Sequence, residues 1–410
     1  MKKRRLNKKA WFLIILMLII IVILIILIFN KEKVLMVDFV NEDVKKIKNF
    51  CEIHDCKLDI TYEYDLDIDE NKIISQGIKA KEKIKKNESI KVIVSKGIDY
   101  QVYKDNNVNE LGRVPIMMYH GIENKKDEET SYIGGNIDKD GYQRTAESFK
   151  RDLEFYYQND YRMIRLKDYI DGNIDVELGK SPIILTFDDG LSNNIKVTGL
   201  DENGKIIIDP NSAVGILESF KEKYPDYNVT ATFFINGGLF NQSNYNDLII
   251  EWLIDNGYDI GNHTYNHANL NDTSEAQTVK EIGSMYELLK NKTSKFVNIV
   301  ALPFGTPYNS KHDNFEHVLA GEYNGNKYET EATLRVGWES DYSPFSQEFN
   351  KQFLKRIRAY DNNGLDFDIE YNFKILAKKR YISDGNNKTI VIKKDDLNSL
   401  METNLKVISY

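Results

Sequence analysis

Two short stretches concentrate side chains able to hold a cation. Thr186–Phe187–Asp188–Asp189–Gly190 places two adjacent carboxylates directly after an apolar run. Neighbouring negative charges at a strand end are costly unless a positive group neutralises them, which a divalent ion does. The same residues also suit a plain Asp-Asp-Gly turn, with Asp189 capping the next element. His263–Thr264–Tyr265–Asn266–His267 spaces two imidazoles four residues apart, which one helical turn brings to the same side. One carboxylate and two imidazoles leave positions on a zinc-like ion for water and substrate, as hydrolysis requires. A hydrogen-bonded pair of polar histidines is the plainer alternative. Of the six histidines, His120 also ends an apolar run. It reads either as an acid or substrate contact in the same cleft or as hydrogen-bonded support for it. His54 lies in a separate small region, and His312 and His317 fall in a polar stretch read as surface.

These residues need elements to converge them. From Arg113 onward, apolar runs alternate with helical periodicity. Val114–Tyr119, Ile183–Phe187, Thr230–Ile235, Tyr258–Gly261 and Phe296–Leu302 read as strands, and Thr145–Gln158, Ala213–Lys223 and Leu248–Asp255 as helices. Such alternation predicts an α/β fold, a mostly parallel sheet or barrel with functional side chains at the carboxyl ends of the strands. His120, Asp188, Asp189, His263 and the Leu302–Pro303–Phe304–Gly305 turn all follow such runs.

Thr-Phe-Asp-Asp-Gly followed by His-Thr-x-x-His resembles the first two motifs of the NodB-type polysaccharide deacetylases, carbohydrate esterase family four. The likeness runs from Val114 to about Phe373, with Val114–His120 similar to the opening strand of one branch and Ala231–Phe234 to the strand after the first motif. The resemblance implies a distorted (β/α) barrel over 113–410. It implies one divalent metal on Asp189, His263 and His267, zinc being expected, with cobalt, nickel or manganese as alternatives. It makes Asp188 the general base, and places an oxyanion-binding N–H at Phe304, flanked by Pro303 and Gly305. Two parts of the family pattern differ. The third motif reads Ala301–Leu302–Pro303–Phe304–Gly305, without the arginine that usually contacts the base. The late Leu-x-x-His motif has no match, Arg356–Ile357–Arg358 standing in that region. Trp338, Glu339 and Asp341 correspond loosely to the fourth motif, and His120 is the substitute acid. The implied activity is removal of N-acetyl groups from a cell-wall glycan such as peptidoglycan. Wall binding with a retained metal site, or O-acetyl ester hydrolysis, are the alternatives.

The rest of the chain concerns location. The first 33 residues carry eight Lys/Arg against one Glu, and the whole chain is −8, so the remainder is −15. So acidic a body excludes nucleic-acid phosphates as partners. Lys2, Lys3, Arg4, Arg5, Lys8 and Lys9 precede a charge-free run from Trp11 to Phe29, which spans about 28 Å as a helix. Residues 1–33 read as a basic cytoplasmic tail and membrane anchor, the alternative being a signal peptide, with the bulk of the chain outside the cell. Residues 34–98 predict one helix, Val44–Phe50 capped by Asp38, on a small sheet including Leu58–Tyr62 and Ile90–Val94. Val37–Val40, Lys72–Gln76 and Ile90–Gly97 make this α+β region resemble a PASTA domain, which implies peptidoglycan binding or a spacer. Residues 99–112 read as a polar linker. Cys51 and Cys56 are the only cysteines, enough for one local disulfide. Oligomeric state leaves no mark in the sequence.

Overall fold

The computed structural model describes residues 8–29 and 34–410. The basic residues Lys2–Arg5 and the polar stop at Asn30–Lys33 lie outside them. The chain divides into two compact units, Met1–Val102 and Tyr103–Tyr410.

In the first unit the apolar run is a helix, Lys8–Phe29, whose described side chains from Trp11 to Val22 are exposed. Among the described residues no helix is long and apolar enough to cross a membrane. The span expected at Trp11–Phe29 is therefore not established by the structure, because the side chains of its last turns lie outside the described ones. Further on, one helix packs on three strands. Lys57–Glu63 runs parallel and Ile73–Gln76 antiparallel to the central strand Ser89–Ser95. Ile90, Val92 and Val94 alternate inward and pack with Val44, Ile47 and Cys51 of the helix. The helix is longer than its periodicity predicts, Val44–His54, and its N-cap is Asp43 rather than Asp38. Asp43 Oδ1 accepts the Lys45 N–H at 2.8 Å, whereas Asp38 caps only a turn, through the Val40 N–H. Cys51 and Cys56 are disulfide-bonded across the end of this helix.

In the second unit the expected α/β alternation is present. Parallel strands run in spatial order Ala332–Leu334, Ile299–Ala301, Asp259–Asn262, Thr232–Ile235, Ser181–Phe187, Ile116–Tyr119 and Ile357–Arg358, with Tyr161–Met163 also paired to Ser181–Phe187. From Ser181–Phe187 to Ala332–Leu334 sequential strands are neighbours, and the last strand returns beside the first, Ile116–Tyr119, in a parallel half-barrel sheet. Ser181–Phe187 is buried at every position, as a strand covered on both faces must be. Met117, Tyr119, Leu185 and Phe187 pack toward Phe149, Leu153, Ile216 and Leu217 of the helices Ala146–Gln158 and Ala213–Lys223. Ile116, Ile184, Phe234 and Ala301 join a second cluster with Ile390 and Ile392. The insertion after the aspartate pair forms a ribbon, Val197–Leu200 with Ile206–Ile208, which is not among the expected elements.

Residues 103–112 do not behave as a solvated linker. Val108 and Glu110 are buried in the second unit. The Glu110 carboxylate accepts the Tyr381 hydroxyl at 2.8 Å and the Val391 N–H at 2.6 Å. Burial, with Asp384 nearby, nevertheless pushes its pKa up to about 8. The folded state thus binds a proton that the unfolded chain, titrating near 4.5, has already lost. Stability from this group is full in acid and declines as pH rises between about 4.5 and about 8. Urea unfolding of the second unit is expected to show that decline, and Glu110→Gln to flatten it. An equally steep slope in the variant would assign the effect elsewhere.

Candidate metal centre and catalytic cleft

The strand ends supply one cleft of about 340 Å³, lined among others by His120, Asp188, Asp189, His263, His267, Phe304 and Val336. Its chemistry-bearing residues come from three separate strand ends and one turn, because parallel strands all finish on the same side.

Asp189 is the hub. Its Oδ1 lies 3.1 Å from His263 Nε2 and 3.3 Å from His267 Nε2. The three ligand atoms lie within 4.8 Å of one another. His263 Nδ1 faces the Ala301 carbonyl at 2.8 Å. Donation of Nδ1–H to that carbonyl leaves the Nε2 lone pair aimed at a carboxylate oxygen. Asp189 Oδ1 and His263 Nε2 are both buried without a hydrogen-bond partner. Two acceptors facing each other are repulsive unless a cation stands between them, so this donor set fits a divalent ion. The segment from His263 to His267 is not the expected helical turn. It is an irregular loop, with Thr264 and His267 in left-handed conformation at φ 59° and 55°. Buried Glu281 shapes it, accepting the Asn266 N–H at 2.8 Å and its side-chain amide at 2.9 Å. Asp189 and Phe304 are left-handed too, at φ 74° and 58°. Non-glycine residues in this region cost about 1–3 kcal/mol each, and concentrate where geometry outweighs comfort.

Asp188 is held differently. Arg356, fully buried, grips it with both prongs, Nη1 to Oδ1 at 2.8 Å and Nη2 to Oδ2 at 2.7 Å. Arg356 also donates Nε–H to the Arg335 carbonyl at 2.7 Å and Nη1–H to Thr186 Oγ1 at 3.2 Å. Burial alone raises the Asp188 pKa, but the Arg356 guanidinium, with His263 adding to it, holds the carboxyl below its ordinary range. Asp188 thus has an arginine beside it, presented from just before the strand Ile357–Arg358 and not from position 301. The Arg-Ile-Arg segment occupies the region where the family pattern leads one to expect a histidine, and its first arginine grips Asp188 instead.

His120 is half-buried in the cleft wall, its Nδ1 without a partner. Asn194 Nδ2 donates to its carbonyl at 2.6 Å, and the Tyr142 ring meets its imidazole edge-on at 4.9 Å. Burial pulls its pKa below the ordinary histidine value, against the pull of Asp188 and Asp189. Phe304 is exposed and its ring lies 4.7 Å from that of His267. The Pro303–Phe304–Gly305 turn is closed by the Gly305 and Thr306 N–H groups, bonded back to Leu302 and Pro303. Trp338, Glu339 and Asp341 do not line the cleft. Asp341 instead bridges to Val114, before the strand Ile116–Tyr119 begins. His312 is not a bare surface residue, since its Nδ1 caps the helix Asp313–Leu319.

Residues 175–318 match the polysaccharide deacetylase family, so the chain carries a polysaccharide deacetylase domain. Asp188, Asp189, His263, His267 and Phe304 fall inside the matched segment; His120 and Arg356 fall outside it. Among solved structures, the Streptococcus pyogenes deacetylase PplD in complex with acetate is 19% identical. That match covers 62% of this chain and 94% of that one, with a TM-score of 0.44. The peptidoglycan deacetylase PdaC from Bacillus subtilis is 24% identical over 33% of this chain and 52% of that one, with a TM-score of 0.22. The extracellular region of the Ser/Thr kinase PrkC from Staphylococcus aureus is 30% identical over 17% of this chain and 24% of that one, at 0.16. No curated protein matches the chain.

The donor set makes a direct prediction. Metal-free protein titrated with zinc is expected to bind one equivalent, and His263→Ala, with the Ala301 carbonyl contact also lost, to bind none in the same range. Near-ultraviolet circular dichroism checks that the variant keeps its fold. Undiminished stoichiometry in a folded variant would refute this ligand set.

Proposed function

We propose that this chain is a metal-dependent deacetylase that removes N-acetyl groups from a cell-wall polysaccharide, peptidoglycan being the leading substrate. The observation that carries the reading is the juxtaposition, in one cleft, of the Asp189–His263–His267 donor set with a separately clamped carboxylate, Asp188. Asp189, His263 and His267 would hold the metal, zinc or one of cobalt, nickel and manganese. When bound, such an ion lowers the pKa of a coordinated water and polarises the acetyl carbonyl.

The chain's own residues do the rest. Asp188 stays ionised beside Arg356 and accepts the proton of the attacking water. The Phe304 N–H, at a turn whose closing bonds use other amides, faces the carbonyl oxygen as negative charge develops on it. His120 delivers a proton to the departing sugar nitrogen as the C–N bond breaks, leaving acetate and a free amine. Being largely neutral at pH 7, it must first take up the proton it later donates. The wall-binding alternative rests on a missing arginine and a missing acid. Arg356 beside Asp188 and His120 in the cleft wall are the observations against it.

The sequence and one bond support a location. A basic flank before the uncharged run Trp11–Phe29 supports an anchored chain with its bulk outside the cell. The Cys51–Cys56 disulfide supports an oxidising compartment. A helix on a three-stranded sheet supports the PASTA-like reading of the small unit, as wall contact or spacer.

The test is acetate release from N-acetylated wall glycan by purified protein with zinc. Release that chelation stops is expected. Release only from O-acetylated material would favour the esterase, and no release from either would favour a wall-binding protein.

A further inference from the structure

Beside the cleft stands a cation that nothing in the proposed reaction uses. Arg358 ends the strand Ile357–Arg358, two residues beyond the arginine that clamps Asp188. Its guanidinium lies 4.0 Å from the Tyr360 ring centroid and 5.4 Å from that of Tyr142. Tyr142 lines the cleft, and its ring touches the His120 imidazole. Arg358 is thus one ring removed from the residue that meets the leaving sugar nitrogen.

Three features mark this guanidinium as held ready. Arg358 is half-buried, yet among the described residues it has no carboxylate partner within ion-pair distance. The other arginines nearby are spoken for: Arg144 and Arg151 by Asp152, Asp361 and Asp127, and Arg356 by Asp188. In a chain of net charge −8 an unpaired cation at the cleft rim is against the general trend. Its stacking partners are also pinned. Asp138 accepts the Tyr142 and Gln143 N–H groups at 3.1 and 2.9 Å, which fixes the loop that carries Tyr142. Gly141, at φ 65°, packs so closely that a Cβ there would lie 2.4 Å from Tyr360 Cβ. Stacking on aromatic faces leaves the N–H edges of a guanidinium free for a planar or tetrahedral anion.

We infer that Arg358, steadied between Tyr142 and Tyr360, recognises an anionic substituent, a carboxylate or a phosphate, on the glycan beside the N-acetyl group that is removed. The inference rests on the deacetylase reading and narrows its substrate class. Peptide-stripped wall strands bear a free lactyl carboxylate, whereas other wall glycans bear phosphate esters. Both present oxygens to the same fork, and the experiment separates them.

Three substrates are compared: neutral β-linked N-acetylglucosamine oligomers, peptide-stripped strands with free lactyl carboxylates, and oligomers phosphorylated at C6. Wild-type kcat/KM is expected to favour one of the anionic substrates over the neutral one by about tenfold or more, the range of one charge-assisted hydrogen-bonded contact. That preference should weaken with added salt. Arg358→Gln should bring the ratio near one, and Arg358→Lys should keep part of it, retaining the charge without the fork. Because the readout is a ratio within one preparation, loss of active protein does not imitate it. An unchanged ratio in Arg358→Gln, or wild-type preference for the neutral oligomer, overturns the assignment. Calorimetric binding of the same oligomers needs no turnover. Tighter binding of an anionic strand to wild type than to Arg358→Gln supports it, and equal binding overturns it. Absence of acetate release from all three, with selective binding intact, would instead overturn the deacetylase reading alone.

Discussion

Arg356→Met is expected to destabilise the second unit by about 3–5 kcal/mol at neutral pH, and by less in mild acid. The variant keeps the length and apolar stem of the side chain but removes the cation. Asp188 is 2% exposed and would be left as a buried carboxylate with its bidentate partner gone. The Arg335 carbonyl would lose its donor as well. In the wild type Asp188 titrates below the ordinary carboxylate range, so its stabilising contribution is present above the unfolded value, ~3.9, and is lost only as pH falls through the lowered one. In the variant the largest influence opposing burial is gone and only His263 and His120 still counter it, so the folded pKa moves upward and the chain gains by protonating Asp188 as pH drops. The deficit between wild type and variant should therefore be larger at pH 7.5 than at pH 5. Urea unfolding of both proteins at the two pH values, with chelator present, is the measurement. A constant deficit, or none, would mean that the clamp does not govern the ionisation of Asp188.

The second large effect is on turnover. Asp188→Asn is expected to lower acetate release by roughly 10²–10⁴, the range for losing one acid-base group. It leaves a polar side chain for Arg356 but no proton acceptor. His120→Ala should act over the same range, because the expelled nitrogen loses its donor while Asp189, His263 and His267 are untouched. Zinc stoichiometry should stay at the wild-type value in His120→Ala. Were His120→Ala to turn over at the wild-type rate with an unshifted pH profile, another group would have to protonate the amine. Measuring rate and metal content on the same preparations separates loss of chemistry from loss of the ion.

The legible parts of this protein are those where local pattern and position coincide. Ile183–Phe187 and Thr230–Ile235 are readable as strands because parallel strands covered on both faces are continuously apolar, and in the fold they span Ser181–Phe187 and Thr232–Ile235. Ala213–Lys223 is readable as a helix because Ser212 caps it and its apolar residues repeat at helical spacing. The ribbon after Asp189 is absent from the expected elements although it carries a signal, an Asn203–Gly204 turn between Val197–Leu200 and Ile206–Ile208. The strands Ala332–Leu334 and Ile357–Arg358 are too short, at three and two residues, to show any period.

The candidate metal donors are legible in the sequence alone, since Asp189, His263 and His267 sit in two compact motifs whose residue types already specify the chemistry. The partner of Asp188 is not. Arg356 is 168 residues from Asp188, and only the return of the last strand beside Ile116–Tyr119 brings its guanidinium under that carboxylate. The placement of Glu110 in the interior, the left-handed turns at Asp189, His267 and Phe304, and the stacking of Arg358 between two tyrosines are likewise tertiary facts. Each depends on contacts between segments far apart in the chain. Side-chain type and local spacing carry the candidate ligands; long-range packing alone decides which buried charges meet, which stay ionised and which is left without a partner.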